Sequence, residues 1–520
     1  MERTRREDGW IRVLRIKTDP PSLKNNTADV DRLTGEIKKV VSSADINVDI
    51  SAVRKIPHAL RQSGYHPEVA VYSMGDRWRI IDIFTPGEGR YFGLSIDLGS
   101  STLVVRLLDL ETGKVIDERS YLNPQIEIGP DILTRIKYSS RNGGLDELRS
   151  LLIKALNKEI SSLANENGIE KERIIGLSAS GNTAMTHFFL GLDPYWICRE
   201  PYIPVINCPD TMNAADLDLD INPRAPVFVL PNVGSYFGGD LIAGILSSGI
   251  YRKKDISILV DMGTNAEVVM GNREWMVACA GAAGPALEGD VAGIGMMAGP
   301  GIIDSVMIDP VSKDLVLRTI DNKPAAGICG SGLIDLVANL FLAGMIDMRG
   351  KYDVKRCGDR LKELEGTNHF ILVKAEESAC GRELTLSQTD IDRLLRSKAA
   401  MFTILSTISG MVNVPMSEVN EFFIAGTFGT YVDPLSAVTI GMLPDLPLEK
   451  YKSLGNSSLE GATLALLSSE MKARACDIRD RITYIELNVN QEFMNMFNAA
   501  KFIPHTDASL FPSIRPSAVF

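Results

Sequence analysis

Residues 96–105 read Ile-Asp-Leu-Gly-Ser-Ser-Thr-Leu-Val-Val, and residues 260–269 read Val-Asp-Met-Gly-Thr-Asn-Ala-Glu-Val-Val. Each is an apolar run that ends on aspartate, turns through a glycine and hydroxyl or amide side chains, and starts a second apolar run. That is the pattern of strand, tight polar turn, strand. Its return 164 residues later, counted from Asp97 to Asp261, signals an internal duplication. Around the first copy, Tyr91–Ile96 and Leu103–Leu110 read as paired strands, and Glu111-Thr112-Gly113-Lys114 turns into a third, Val115–Tyr121. Leu145–Asn167 is an amphipathic helix, and Ile174–Ser178 is a buried strand feeding Gly181-Asn182-Thr183. Around the second copy, Ile256–Asp261 and Ala266–Met270 are strands, followed by a hairpin at Gly271-Asn272-Arg273. Strands mixed with helices in this way predict an α/β fold built from two similar halves.

The flanks extend the scheme. Ile11–Ile16 alternates like a strand, Thr27–Val41 has helical spacing, and Val69–Met74 with Trp78–Phe84 reads as a hairpin through Gly75-Asp76. Thr85-Pro86-Gly87-Glu88-Gly89 reads as a linker. Later, Gly332–Ile346 and Thr389–Ile408 are helical, the second with Thr389/Asp392 as a capping box. Glu421–Ala425 is a strand running into Gly426-Thr427-Phe428-Gly429, and Ile482–Asn488 is a last strand before an amphipathic helix through Phe493, Met496 and Phe497. The domains expected are a small N-terminal α/β domain with linker at 1–90, one lobe at 91–252 and a second at 253–520.

Composition excludes several classes. Of 520 residues, 45% are hydrophobic and 23% charged, which is ordinary for a soluble globular chain. No apolar run is long enough to span a bilayer and no signal peptide is read, so no membrane association and a cytoplasmic location are expected. A net charge of −11 argues against a nucleic-acid partner. The seven cysteines, at 198, 208, 279, 329, 357, 380 and 476, include no CxxC spacing, so no iron–sulfur cluster is expected in this chain. The five histidines form no zinc motif.

The turns carry the chemistry. Glycine lets the backbone approach a polyanion, and the N–H groups and hydroxyls nearby donate to phosphate oxygens. An aspartate beside phosphates repels them unless a cation intervenes, so Asp97 and Asp261 imply Mg²⁺ held mainly through water. Two such turns facing one cleft would clamp a nucleotide. A plain β-hairpin is the alternative for either turn alone. No Walker loop occurs.

Asp97–Thr102, Asp261–Glu267 and Ile424–Gly429 resemble the two phosphate motifs and the adenosine motif of the actin, sugar-kinase and heat-shock-chaperone ATPases. Gly181–Thr183 and Cys329–Asp335 sit where that superfamily has its connecting motifs. More narrowly, SASGNTAMTHFFLGLDP (178–194), PNVGSYFGGD (231–240), ACAGAAGPALEGD (278–290), GICGSGLIDLV (327–337), AGTFGTYVD (425–433) and GNSSLEGA (455–462) resemble the ATP-dependent reductive activators of corrinoid proteins. PPSLKNNTADVDRL (20–33) resembles the region called the middle region there. The resemblance implies a duplicated RNase H-like ATPase core. It implies an enzyme that binds and hydrolyses ATP with Mg²⁺ to assist reduction of an inactive Co(II) corrinoid protein of a methyltransferase system to Co(I). Well-known members carry a ferredoxin-type domain and this chain does not, so a separate ferredoxin or flavoprotein is the expected electron donor. A small-molecule kinase and a nucleotide-switched binding module without redox role stay open, as does the oligomeric state, a homodimer included.

The residues assigned on this reading are Asp97 and Asp261 for metal and catalysis, and Glu267 for orienting the attacking water, with Asp240 as a rival for that role. Gly99, Ser100, Ser101, Thr102, Gly263, Thr264 and Asn265 are assigned to phosphate. Gly426, Thr427, Gly429 and Asn456 are assigned to adenosine. Lys398 is either a surface lysine or one that reaches the nucleotide. Cys279 and Cys329 read as buried small side chains rather than electron relays, and His187 as a packed histidine rather than a cobalt ligand. Gly281–Gly301 is either a partner-contacting loop or a static one.

Overall fold

The computed structural model describes residues 8–87, 89–263, 265–282, 292–485 and 491–514. It divides into two compact units, Met1–Ser247 with Ser458–Asp480, and Ser248–Ser457 with Arg481–Phe520.

The first unit opens with a four-stranded sheet in the order Ile11–Arg15, Glu68–Met74, Arg77–Phe84, Asp45–Asn47. Helices Asp29–Val41 and Ile50–Gln62 cover it, burying Leu33, Ile37, Ile56 and Leu60 against Val69, Val71 and Ile80. The hairpin turns through Gly75 at φ 68°, a left-handed conformation that costs glycine nothing. The Ile50–Gln62 helix is not predicted from sequence, because Pro57 lies inside it and reads as a breaker.

A six-stranded sheet follows, in the order Val115–Leu122, Thr102–Asp109, Phe92–Leu98, Ile174–Gly181, Pro226–Val229, Met212–Asn213. The first three strands form an antiparallel meander, and Phe92–Leu98, Ile174–Gly181 and Pro226–Val229 run parallel. The helix Gly144–Glu166 packs Leu148, Leu152, Leu156, Ile160 and Leu163 onto this sheet.

The second unit repeats the plan. Its six-stranded sheet is ordered Tyr451–Gly455, Glu421–Ala425, Ser257–Met262, Asn265–Gly271, Met276–Ala282, Ile482–Tyr484. Again the first strand in the chain heads an antiparallel meander and pairs in parallel with the fourth, which pairs in parallel with the fifth. With the short strand Met212–Asn213 of the first unit and Ile482–Tyr484 of the second set aside, both sheets read 3-2-1-4-5 in chain order, the layout of a duplicated core. The strand set aside differs, antiparallel on Pro226–Val229 in the first unit and parallel on Met276–Ala282 in the second.

Three features depart from the sequence reading. Two three-stranded sheets are inserted in the second unit, Ile302–Ile308 with Leu315–Thr319 and Gly327–Ile328, and Leu361–Leu364 with Thr367–Val373 and Leu384–Ser387. The helix Gln388–Met411 starts one residue before the predicted Thr389. Its capping box is Ser387 with Asp390, not Thr389 with Asp392, whose carboxylate instead pairs with Lys351. Finally, Ser458–Asp480 packs into the first unit, although it lies inside the span 253–520 that reads as one continuous lobe. Trp10 donates to the Ala465 carbonyl at 2.9 Å, and Gly461 lies so close to Ala243 that an added Cβ would meet its Cα at 2.3 Å.

Candidate functional site

In the first unit the parallel strands bring three loops to one sheet edge, where α/β sheets place ligands. Asp97 pairs in register with Ser180, and Leu98 with Gly181, so the Gly99–Ser101 turn lies beside Gly181-Asn182-Thr183. Gly99 has no substitute, because a Cβ there would sit 2.1 Å from the Thr102 carbonyl oxygen. The turn is held from outside by buried Asn123, whose Nδ2 donates to the Gly99 carbonyl at 3.0 Å and whose backbone N–H donates to Ser101 at 2.9 Å. The Gly99 and Ser101 carbonyls are thereby used. The hydroxyls of Ser100, Ser101 and Thr102 make no hydrogen bond to the described residues, and these side chains are half-buried.

Asp97 is oriented by a residue the sequence reading missed. Ser458 Oγ, in the first turn of the helix Ser457–Leu467, donates to Asp97 Oδ1 at 2.7 Å. Ser180 Oγ lies 2.6 Å from Ser458 Oγ and 2.9 Å from the Ser458 carbonyl, so Ser180 donates to Ser458 and the Ser458 hydroxyl is left to donate its hydrogen bond to the carboxylate. The signal lay within GNSSLEGA, where Asn456 draws attention as a helix cap and the serines behind it do not.

The neighbouring loops are equally fixed. Asn182 Oδ1 caps the helix Thr183–Leu190 by accepting from Met185 N–H at 2.9 Å, and Thr183 Oγ1 donates to the Gly234 carbonyl at 3.0 Å. Asp240 begins the helix Gly239–Ser248, and its Oδ1 accepts from Leu241 N–H at 2.8 Å. His187 is fully buried. Its Nδ1 donates to the Thr183 carbonyl at 2.7 Å and its Nε2 accepts from Val205 N–H at 3.0 Å, which fixes the neutral ring, while burial lowers its pKa. It is the packed histidine that the sequence predicts.

In the second unit the same edge carries Asp261, Gly426 and Gly455-Asn456. Asp261 pairs in register with Ala425 on one side and with Glu267 on the other. The turn here is one residue shorter than in the first unit. Leu98 pairs with Leu103 across four turn residues, whereas Met262 pairs with Ala266 across three. The ungapped sequence match would set Val268 opposite Asp261; the shorter turn sets Glu267 there, on the same face of the sheet. Gly426 has φ 85°, and a Cβ would meet Asp261 Oδ1 at 2.9 Å. At Gly429 a Cβ would lie 2.8 Å from the Ile424 carbonyl oxygen. Gly263 follows the Asp261 strand, Asn265 opens the next, Thr427 lies in the short helix Gly426–Tyr431, and Asn456 follows Gly455. Thr264 lies outside the described residues, as do 283–291 of the Gly281–Gly301 loop.

Lys398 has neither predicted place. It is fully buried, donates to the carbonyls of Phe502 at 2.6 Å and Pro504 at 2.7 Å, and its pKa is pushed well below the usual lysine value by burial. It anchors the C-terminal segment of the second unit. Cys279 and Cys329 are buried, and burial pushes the Cys279 thiol up to about 12, which leaves it unreactive. Asp335, in the helix Gly330–Leu342, is buried and its pKa is raised by that burial. Among the described residues no group of three or more His, Cys, Asp or Glu side chains is arranged to hold a metal directly. No described helix is long and apolar enough to cross a membrane.

Comparison with known proteins places this architecture. Residues 255–515 match the C-terminal domain of RACo, the ASKHA domain; residues 92–253 match the RACo middle region, and residues 3–89 the RACo linker region. Residues 20–33 thus fall in the linker region, not the middle region. The corrinoid activation enzyme RamQ of Eubacterium limosum is 30% identical over 482 residues, covering 91% of this chain and 79% of RamQ. The [Co(II) methylated amine-specific corrinoid protein] reductase of Methanosarcina barkeri is 21% identical over 443 residues, covering 78% and 76%. The solved structure of a reductive activator for corrinoid, iron-sulfur protein matches with a TM-score of 0.89 and 38% identity, over 98% of this chain and 81% of that one. With linker, middle and ASKHA regions following one another along its length, the chain belongs to the RACo family of corrinoid-protein reductive activators.

Proposed function

We propose that this chain is a cytoplasmic ATPase that binds Mg²⁺–ATP and assists one-electron reduction of a Co(II) corrinoid protein of a methyltransferase system to Co(I), with electrons from a separate ferredoxin or flavoprotein. The corrinoid half of this reading rests on the family and on what its relatives act upon. The nucleotide half is carried by one observation, the row of hydroxyls at Ser100, Ser101 and Thr102 that make no hydrogen bond to the described residues, beside an aspartate that accepts from Ser458. Hydroxyl donors at a turn whose Gly99 and Ser101 carbonyls are already bonded suit phosphate oxygens. Mg²⁺ would neutralise phosphate charge and favours oxygen ligands while keeping several waters, which suits carboxylates that reach it through water. Asp97 and Asp261 would accept hydrogen bonds from that water shell. Two carboxylates directly across a ladder, Asp261 and Glu267, favour a cation near them. Glu267 would orient the attacking water, and Gly263, Thr264, Asn265, Gly426, Thr427, Gly429 and Asn456 would line phosphate and adenosine.

The energetic demand is modest. A 10⁴-fold preference for one cobalt ligation state supplies about 5.5 kcal/mol. For a one-electron couple that is a shift of about 240 mV. An activator therefore needs only to grip the corrinoid protein differently in two states, and nucleotide turnover can set or release that grip. Steady-state hydrolysis tests the nucleotide half: Asp261→Ala is expected to abolish Mg²⁺-dependent ATP turnover, and full turnover in that variant would remove Asp261 from the site.

A further inference from the structure

Cys208 and Cys476 are 268 residues apart in the chain, yet their sulfurs lie 3.9 Å apart within the first unit. Both are half-buried. Each is carried on an anchored segment. Asn207, next to Cys208, accepts from Asn232 N–H at 2.7 Å through its carbonyl and from Gly234 N–H at 3.2 Å through its side chain. Three residues on from Cys208, Thr211 Oγ1 accepts from Lys472 Nζ at 3.1 Å. Lys472 lies one turn before Cys476 on the helix Ser469–Arg481, so the two share a helix face, and its ammonium sits 3.7 Å over the Trp10 ring. The contact between the sulfurs thus joins two ordered pieces of backbone.

The surroundings differentiate the two thiols. The hydrogen bond with Cys476, helped by the Arg479 guanidinium, pulls the Cys208 thiol down to about 6 against burial and Asp480. The same contact, with burial, raises Cys476. These directions favour Cys208 for the attacking role and leave Cys476 as the resolving cysteine.

We propose that Cys208 and Cys476 are a redox-active pair that closes reversibly to a disulfide by exchange with a small-molecule disulfide. Cys208 thiolate attacks one sulfur of the small disulfide, forming a mixed disulfide and releasing one thiolate. Cys476 gives its proton to that released thiolate and attacks the Cys208 sulfur, releasing the second half as a thiolate that takes a proton from water. The protein loses two electrons as one thiolate and one thiol become an S–S bond; the small disulfide gains those electrons and ends as two thiols. Closure needs the sulfurs to move from 3.9 Å to the bonded distance of about 2.05 Å. The new bond would staple the helix Ser469–Arg481 to the 207–211 segment. It would also close a chain loop that contains the whole of Ser248–Ser457.

Peptide mapping on the full-length folded chain tests this, with oxidised glutathione as the probe. A Cys380→Ser background is used, because exposed Cys380, pushed down to about 7 by its contact with Ser378, would take glutathione by itself. After oxidation and alkylation with iodoacetamide, the expected product is one peptide pair joining Cys208 to Cys476, released by dithiothreitol. Adding Cys476→Ser should trap glutathione on Cys208, and adding Cys208→Ser should slow adduct formation at Cys476 at least tenfold. A stable glutathione adduct on Cys208 with Cys476 intact, or a Cys208 that alkylates equally before and after the oxidant, overturns the proposal.

Discussion

Ser458→Ala removes a side-chain donor to Asp97 Oδ1 while leaving the Ser457–Leu467 helix itself in place. The bond is short, 2.7 Å, and Ser458 is only 7% exposed, so water has little room to replace it. A hydrogen bond to a charged group contributes about 1.5–3 kcal/mol. Ser180 keeps an acceptor in the variant, because the carbonyl of residue 458, at 2.9 Å, is backbone. The loss is therefore that of a single charge-assisted bond, about 2 kcal/mol. At about 2–4 °C per kcal/mol for a unit of this size, the first unit's transition should fall by about 4–8 °C. Tryptophan emission follows that unit, since Trp10, Trp78 and Trp196 lie in it. A double-mutant cycle with Asp97→Ala isolates the pair, and the coupling expected is about 2 kcal/mol. Nucleotide affinity should weaken in Ser458→Ala as well, because the carboxylate loses its orientation. Additive effects within about 0.5 kcal/mol would refute the assignment of Ser458 as the residue that positions Asp97.

Other perturbations probe separate parts of the account. Gly426→Ala forces a side chain into φ 85° and against Asp261 Oδ1; a stability loss of about 1–2 kcal/mol is expected from the left-handed backbone alone, with weaker ATP binding by calorimetry. Lys398 releases its proton in the folded chain well below the unfolded value of about 10.4, so between those two points the unfolded chain binds more protons and stability rises with pH. Urea midpoints of the wild type relative to Lys398→Met should therefore climb as pH is raised towards about 10, and parallel curves would contradict the buried, lowered lysine. Iodoacetamide should label exposed Cys380 quickly and leave buried Cys279 and Cys329 unmodified until the chain unfolds.

The cores of both halves were legible because burial on both faces writes itself as apolar runs, and because each run stops at an aspartate where the sheet edge begins. What the runs do not record is how many residues the turn takes. The match of 96–105 to 260–269 is ungapped, yet the second turn is one residue shorter, and only register shows that Glu267 faces Asp261. Long-range polar contacts were hidden for a different reason. Nothing within GNSSLEGA says that Ser458 reaches a carboxylate 361 residues earlier, or that the helix belongs to the first unit. Lys398 illustrates the converse, since a lysine on a helix reads as surface unless two distant carbonyls, those of Phe502 and Pro504, are known to receive it. The Ile50–Gln62 helix was masked by Pro57, whose breaking tendency the surrounding apolar contacts override.

The central claim, that nucleotide drives a change of cobalt state through this chain, is met most directly by ultraviolet–visible spectroscopy of a Co(II) corrinoid protein. The protein is mixed with a low-potential reductant and this chain, with ATP and Mg²⁺ present or omitted. The account predicts that the Co(I) spectrum develops only when chain and ATP are both present, and that Asp261→Ala does not support it. A Co(I) yield that is the same without the chain, or without ATP, would contradict it.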